Sequence, residues 1–314
     1  MRRLIYHSNK YKEVPDSFRS LFILTGYRPI LSLKEALQSV FQIHNETFNI
    51  WTHLLSLLFF IAHFMNYVFS ANFSYYVALN YFGTFCCYFF SAVAHSFCCL
   101  QPPMDQFWFL FDYFGISIYS FAVACCYAVK LVPDTQSQDG YSYFIAEDRT
   151  FIVLSSFILA VLSFALCSFT RMFPSRKYTS PLRAISFGIP YIFDSMIVLN
   201  YMYNGNVTAD ESFYWKLHFL SVSASIFFYI THIPECLYRK RFDIIGQSHQ
   251  LFHIFGALAS YFQTNAISQK SSQDETTGFL NYLLFMVILV ISTNLFVFII
   301  IFRLVKTKFN QKVL

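Results

Sequence analysis

The residues that most clearly could bind a metal or take part in a reaction are two histidines four positions apart, His249 and His253. Side chains at i and i+4 project from one face of a helix, so both imidazoles can bind the same metal ion. A third histidine, His95, follows Ser91 at the same spacing in a distant part of the sequence. With the carboxylate of Asp112, these three imidazoles have the composition of a zinc site if the fold brings them together.

Three histidine ligands would leave one tetrahedral position of the metal for water, whereas structural zinc sites usually have four protein ligands. Asp112 would then hold or deprotonate that water, or bind the metal directly, and Ser91 would support it. For each histidine alone, the alternative is a helix-packing or interfacial role without a metal. Together, His95, His249 and His253 favour one Zn²⁺ ion as cofactor.

Other polar residues fall inside apolar segments, where ionisable groups are costly and usually mark a site. Glu46, Asn49 and His53 form one stripe at i, i+3 and i+7, and we expect them to hydrogen bond to the metal ligands. Asp194 lies in the middle of an apolar run, where it either lines a cavity or pairs with a neighbour. The histidines expected to have structural roles are His44, His63 and His218.

The elements that carry these residues are membrane helices. Of the 314 residues, 56% are hydrophobic and only 12% are charged, against roughly 25% charged residues in soluble domains. Runs of about 20 apolar residues can cross a bilayer as helices. Eight such runs are present: Ile50 to Phe69, Tyr75 to Phe97, Phe107 to Val129, Phe151 to Thr170, Leu182 to Tyr203, Trp215 to Ile233, His249 to Ile267 and Phe279 to Phe302.

The positions of the basic residues predict the orientation of these helices. Most of the 22 lysines and arginines precede the first run, join the fourth to the fifth and the sixth to the seventh, or follow the eighth. Cytoplasmic loops retain Lys and Arg, so both termini are predicted to be cytoplasmic. His95, Asp112, His249 and His253 then share the cytoplasmic layer. The net charge of +5 reflects this topology and an attraction to anionic lipid, and no motif indicates a nucleic-acid partner.

The predicted fold is therefore an all-α polytopic membrane protein. A cytoplasmic segment, residues 1–49, precedes the helical domain of residues 50–302, which holds the zinc site, and residues 303–314 form a basic cytoplasmic tail. Tyr11 to Phe41 is expected to form a short amphipathic helix on the inner surface. Its apolar stripe is Leu33, Ala36, Leu37, Val40 and Phe41.

Four motifs together resemble the progestin and adipoQ receptor family. They are Glu46-Thr-Phe-Asn49-Ile-Trp-Thr-His53, Ser91-x3-His95, Phe111-Asp112-Tyr113-Phe114-Gly115-Ile116 and His249-x3-His253. The resemblance extends over nearly the whole chain. It implies seven core helices and a zinc ion held by the three histidines, with Ser91 and Asp112 supporting a zinc-bound water. An eighth helix after Ile267 is more similar to the membrane progestin receptor branch than to the adiponectin receptors.

The resemblance implies two functions of different classes. The first is a plasma-membrane receptor that binds a progestin-like steroid or related lipid and signals to a cytoplasmic partner. The second is a zinc-dependent hydrolase that cuts a lipid amide or ester, as a ceramidase does. The eighth helix favours the receptor, and the open zinc position favours the enzyme.

Overall fold

Long helices make up almost all of the regular structure in the computed structural model, which describes residues 10–70, 73–132, 148–172, 176–204, 207–269 and 277–313. Within these residues the chain forms helices and no β-strand. The α-helices are α1 Leu33–Ser39, α2 Thr47–Val68, α3 Tyr75–Phe97, α4 Met104–Lys130, α5 Arg149–Phe169, α6 Arg176–Tyr203, α7 Ala209–Thr231, α8 Ser248–Ser268 and α9 Thr277–Val313. Each predicted apolar run overlaps one of the helices α2 to α9.

Six of the helices in the described residues are long and apolar enough to cross a membrane, namely α2 to α6 and α9. The chain is therefore a multi-pass, all-helical membrane protein, as predicted. Helices α7 and α8 have 23 and 21 residues. They are similar in length to α2, α3 and α5, but they are more polar. Their buried polar residues include His218, Ser225, Gln250 and Gln263, which face the interior of the bundle. Eight crossings stay a prediction.

Two glycines allow α3 and α4 to pack at short range. A Cβ atom at Gly83 would lie 2.8 Å from the Cβ atom of Ala122, and one at Gly115 would lie 2.8 Å from the carbonyl oxygen of Cys86. Small residues permit this close approach between membrane helices. The register of α3 against α4 is thereby fixed, and with it the relative position of His95 and Asp112.

The amino-terminal segment is less helical than the sequence predicts. Its α-helix covers only Leu33–Ser39, after two short 3₁₀ turns. Pro15, Pro29 and Gly26 interrupt the preceding chain, and Gly26 has a φ of +83°, which an extended α-helix does not accommodate. Ser32 then starts α1 through a capping box with Glu35. Leu33, Leu37 and Phe41 are exposed, whereas Ala36 and Val40 are buried.

Helix α9 packs along α4 and α5. The Asn294 amide donates a hydrogen bond to the Ser117 hydroxyl (2.8 Å), and Phe298 contacts the rings of Phe107 and Phe111. With 37 residues the helix is about 55 Å long, longer than the hydrocarbon core of a bilayer, which is about 30 Å thick. It extends well beyond the predicted end at Phe302.

Candidate metal centre

The structure brings His95, His249 and His253 together. One ligand atom from each residue lies within 4.8 Å of the others, and the Nε2 atoms of His95 and His249 are 3.4 Å apart. His95 stands near the end of α3 and the other two stand in the first turns of α8. His95 and His253 are both 4% exposed. Three histidines from two helices thus form one cluster, in which His95 and His253 are buried and His249 is half-buried, at the end predicted to be cytoplasmic.

Hydrogen bonds determine which ring nitrogens of His95 and His253 carry a proton. The Nδ1 atom of His95 lies 2.8 Å from the Glu46 carboxylate, which only accepts hydrogen bonds. The Nδ1 atom of His253 lies 3.0 Å from the Thr52 hydroxyl, whose own proton is directed at the carbonyl oxygens of Phe48 and Asn49. Both Nδ1 atoms are therefore donors, and both Nε2 atoms carry lone pairs.

Such an arrangement fits a metal ion. The lone pair on His95 Nε2 points at the Nε2 atom of His249, 3.4 Å away, and such a contact is favourable only with a cation or a proton between the two nitrogens. Partners that orient the far nitrogen of each ligand are the usual surroundings of zinc-binding histidines. The donor set of three neutral imidazoles is also one that zinc accepts.

The Glu46 carboxylate is itself held in place. It accepts hydrogen bonds from the side-chain amides of Asn49 (2.7 Å) and Asn45 (3.2 Å). Burial alone would raise the pKa of Glu46, but the hydrogen bonds from His95 and Asn49 lower the pKa well below its ordinary value. Glu46 is thus an ionised acceptor at the start of α2, and Asn49 orients it.

His53, the last residue of the predicted stripe, has a different environment. Its ring centroid is 3.8 Å from that of His253 and 6.4 Å from that of His95. It is 7% exposed, and neither ring nitrogen has a hydrogen-bond partner within the described part of the chain. His53 is a fourth imidazole beside the cluster, with unused hydrogen-bonding capacity.

Asp112 and Ser91 lie beside the triad rather than within it. Asp112 is in the third turn of α4, because α4 begins at Met104, three residues before the predicted run. Its carboxylate neighbours Ser91, His95 and Arg171 and lines the internal cavity. Ser91, one turn before His95, is 3% exposed. Among the described residues, the metal-binding cluster contains only the histidines.

Two charged residues that the sequence analysis did not assign to the site hold the helix ends that carry the histidines. The guanidinium of Arg28, 2% exposed, donates to the carbonyl oxygens of His95 (2.6 Å) and Ser96 (2.9 Å). The Glu235 carboxylate accepts from the backbone N–H of Ser248 (2.7 Å) and from its hydroxyl. Arg28 therefore secures the end of α3, and Glu235 caps the start of α8.

His44, in the loop before α2, has the structural role predicted for it. Burial, followed by the charge of Arg28, lowers the pKa of His44 to about 3. The neutral ring accepts a hydrogen bond from the Glu46 N–H (3.1 Å) and contacts the Ser39 carbonyl oxygen (3.0 Å). It thereby orients the backbone beside the Glu46 carboxylate.

A cavity of 1040 Å³ opens beside the cluster. Its wall includes His95, His249 and Asp112 near the metal-binding cluster, and Asp194 and His218 deeper in the bundle. Arg171 also lines it, stacked on Phe109 with 4.0 Å between the guanidinium carbon and the ring centroid. The cavity is as large as the largest sites that typically bind small organic ligands.

These features define a class, the polytopic helical membrane proteins with a buried histidine cluster beside an internal cavity. The pattern of the haemolysin-III related family matches residues 41–264, a range that contains every residue of the cluster. The chain belongs to the haemolysin-III related family, and this confirms the resemblance found in the sequence motifs.

Relatives in animals and plants share most of the chain. Membrane progestin receptor gamma of Mus musculus is 32% identical over 266 residues, which cover 81% of this chain and 78% of that protein. Membrane progestin receptor delta of Homo sapiens is 30% identical over 269 residues, covering 81% and 76%. Heptahelical transmembrane protein 1 of Arabidopsis thaliana is 28% identical over 282 residues, covering 80% and 78%. These relatives support a membrane receptor.

Proposed function

We propose that this chain is a membrane receptor for a progestin-like steroid or a related lipid, with zinc held by His95, His249 and His253 near the cytoplasmic face. The observation that carries the proposal is the cavity of 1040 Å³, which is large enough for such a ligand and reaches the histidine cluster. The names of the similar receptors support the ligand class. Ligand in the cavity would act on a cytoplasmic signalling partner through the helix ends that surround the cluster.

Filling the cavity tests this proposal. Gly256 lines it, and a Cβ atom there would meet only the Ser225 hydroxyl, at 3.8 Å, so Gly256→Phe adds a ring to the cavity with little strain on the helix. We expect the affinity for labelled progesterone in purified membranes to fall at least about tenfold.

Gly278→Phe is the matched control, because a Cβ atom at Gly278 meets nothing within 4 Å and the residue is outside the cavity wall. Gly188→Phe repeats the test from α6, where the added atom also meets nothing. Unchanged progesterone affinity in both cavity variants, with zinc retained, would refute ligand binding in this cavity.

The proposed topology is eight crossings of the plasma membrane with both termini in the cytoplasm, since the basic loops predict this orientation. Epitope tags at either terminus of the full chain are expected to bind antibody only after the cells are permeabilised. A carboxyl-terminal tag accessible on intact cells would contradict the eighth crossing.

A second candidate is a zinc-dependent lipid amide or ester hydrolase, favoured by the carboxylate of Asp112 beside Ser91 and His95 at the cavity wall. When bound, zinc would supply Lewis-acid activation of water and of a carbonyl. Asp112 would accept a proton from the attacking water and return it to the departing amine or alcohol. Water thus adds to the carbonyl carbon as the C–N or C–O bond breaks.

Asp112→Asn separates the two candidates, because it keeps the size of the side chain and removes the base. For a hydrolase, we expect zinc to be retained and product release from a ceramide or fatty-ester probe to fall by about 10² to 10⁴. For a receptor without hydrolysis, neither protein releases product, and progesterone affinity stays within about threefold. Equal turnover in variant and wild type would exclude Asp112 as the base.

A further inference from the structure

A second group of polar side chains lies deeper in the cavity, away from the histidine cluster. Asp194, on α6, lines the cavity wall and is 8% exposed. In the described ranges its side chain takes part in no hydrogen bond or ion pair. A buried carboxyl group without a partner in a membrane interior is costly and indicates a functional role.

The polar groups on the neighbouring helices bond largely to one another. The Tyr119 hydroxyl donates to the Gln263 side-chain oxygen (2.5 Å), and the Gln263 amide donates to the Tyr127 hydroxyl (2.6 Å). The Tyr88 hydroxyl donates to Ser260 (2.9 Å). The donors of Tyr119 and Tyr88 are therefore already in use and are not available to Asp194.

His218, on α7, adds a second acceptor to this part of the cavity wall. Its Nδ1 atom is 3.0 Å from the Ala259 carbonyl oxygen, so Nδ1 carries the proton and Nε2 carries a lone pair. The ring is 4% exposed and lines the same cavity as Asp194. A buried carboxyl group without a cation partner keeps its proton, so Asp194 can pass that proton to a ligand amine and accept hydrogen bonds from the resulting ammonium group, while His218 Nε2 accepts from a ligand hydroxyl. The two groups are therefore complementary to a ligand that donates hydrogen bonds.

The depth of this region follows from α8. His218 bonds to Ala259, six residues after His253, and Gln263 is ten residues after it, so these positions lie about 9 to 15 Å from His253 along the helix axis. Asp194 is a neighbour of Tyr119 and Tyr127, the two tyrosines that bond to Gln263. An elongated lipid can therefore place one polar group near the histidine cluster and another in this region.

We propose that Asp194 and His218 form a second polar subsite, which binds a hydroxyl or amine group at the far end of the lipid ligand. This inference rests on the proposed function, because it assigns the two ends of the ligand expected in the cavity. It predicts that the protein prefers lipids with a hydrogen-bond donor at one end over matched lipids that have a carbonyl there.

The test compares ligands that differ in one group. The full-length protein is titrated with three pregnane steroids that carry an amine, a hydroxyl or a ketone on ring A, and with octadecylamine, octadecanol and octadecyl methyl ether. We expect Asp194→Asn to weaken binding of the amines and alcohols at least about tenfold, and to leave the ketone and ether within about threefold. A larger loss for amines than for alcohols would identify an ammonium group as the preferred donor.

Asp210→Asn, at an exposed acidic residue in the first turn of α7, is the control variant, and zinc content checks that each protein is folded. If no steroid binds the wild type but the straight-chain lipids show the Asp194-dependent preference, the steroid function fails and the subsite stands. The subsite is refuted if Asp194→Asn weakens the binding of every ligand equally. It is also refuted if neither Asp194→Asn nor Asp210→Asn changes the affinity for any ligand that binds.

Discussion

The two ends of the helical bundle both bury polar groups, but they use them differently. At the end predicted to face outwards, here called the outer end, the Lys130 ammonium donates to the Gln269 carbonyl oxygen (2.7 Å) and pairs with Glu211 (3.5 Å), which also accepts from Tyr201 (3.2 Å). At the opposite end, here called the histidine end, the Nε2 atoms of His95 and His249 face one another at 3.4 Å and both nitrogens of His53 lack partners within the described residues. Buried polarity alone therefore does not identify the site. Several imidazoles that converge beside a cavity do.

The largest expected effect is loss of the proposed zinc ion from the histidine end. The double variant His249→Ala, His253→Ala removes two of three ligands, so zinc is expected to fall from one ion per chain to background in elemental analysis. Lys216→Met, at an exposed position on α7, is the control and should keep its zinc. A folded double variant with undiminished zinc would show that the histidine cluster is not the metal site.

An intermediate effect is expected at the outer end, where Lys130→Met leaves the buried Glu211 without its cation. Loss of one partner of a buried pair typically costs about 3–5 kcal/mol, so the thermal midpoint should fall clearly while the zinc content stays the same. Replacing both residues, Lys130→Met with Glu211→Leu, should recover most of the loss. A drop in zinc content in the single variant would contradict the separation of the two ends.

The smallest effect is expected from residues that orient the ligands. Glu46→Gln removes the negative charge of the acceptor for the His95 Nδ1–H group, and Thr52→Val removes the acceptor for that of His253. We expect each change to lower zinc affinity about 10- to 100-fold, measured by competition with a chelator. Ser56→Ala, one turn beyond Thr52, removes a hydroxyl that donates only to the Thr52 carbonyl oxygen and should have no effect. Equal affinities in all three variants would show that these contacts do not support the metal.

Hydrophobic runs and i, i+4 spacing were sufficient to predict the helices and to place the three histidines at one depth. The predicted run Tyr75 to Phe97 coincides with α3, since helix length in a membrane is set by apolar length. Sequence patterns did not predict the roles of Thr52, Arg28 and Glu235, because those roles depend on contacts between distant segments, such as Arg28 with His95. The amino-terminal helix is shorter than its apolar stripe predicts, because Pro15, Gly26 and Pro29 interrupt the chain before it.

The close approach of α3 and α4 at Gly83 and Gly115 has a mechanical consequence. These helices form a rigid pair, and α7 and α8 pack extensively into another, whereas α6 touches α7 only sparsely. The cavity lies beside this sparse contact, so a guest molecule displaces α6 more easily than it separates α3 from α4 or α7 from α8. The α6 wall, which carries Asp194, is therefore the compliant side of the cavity.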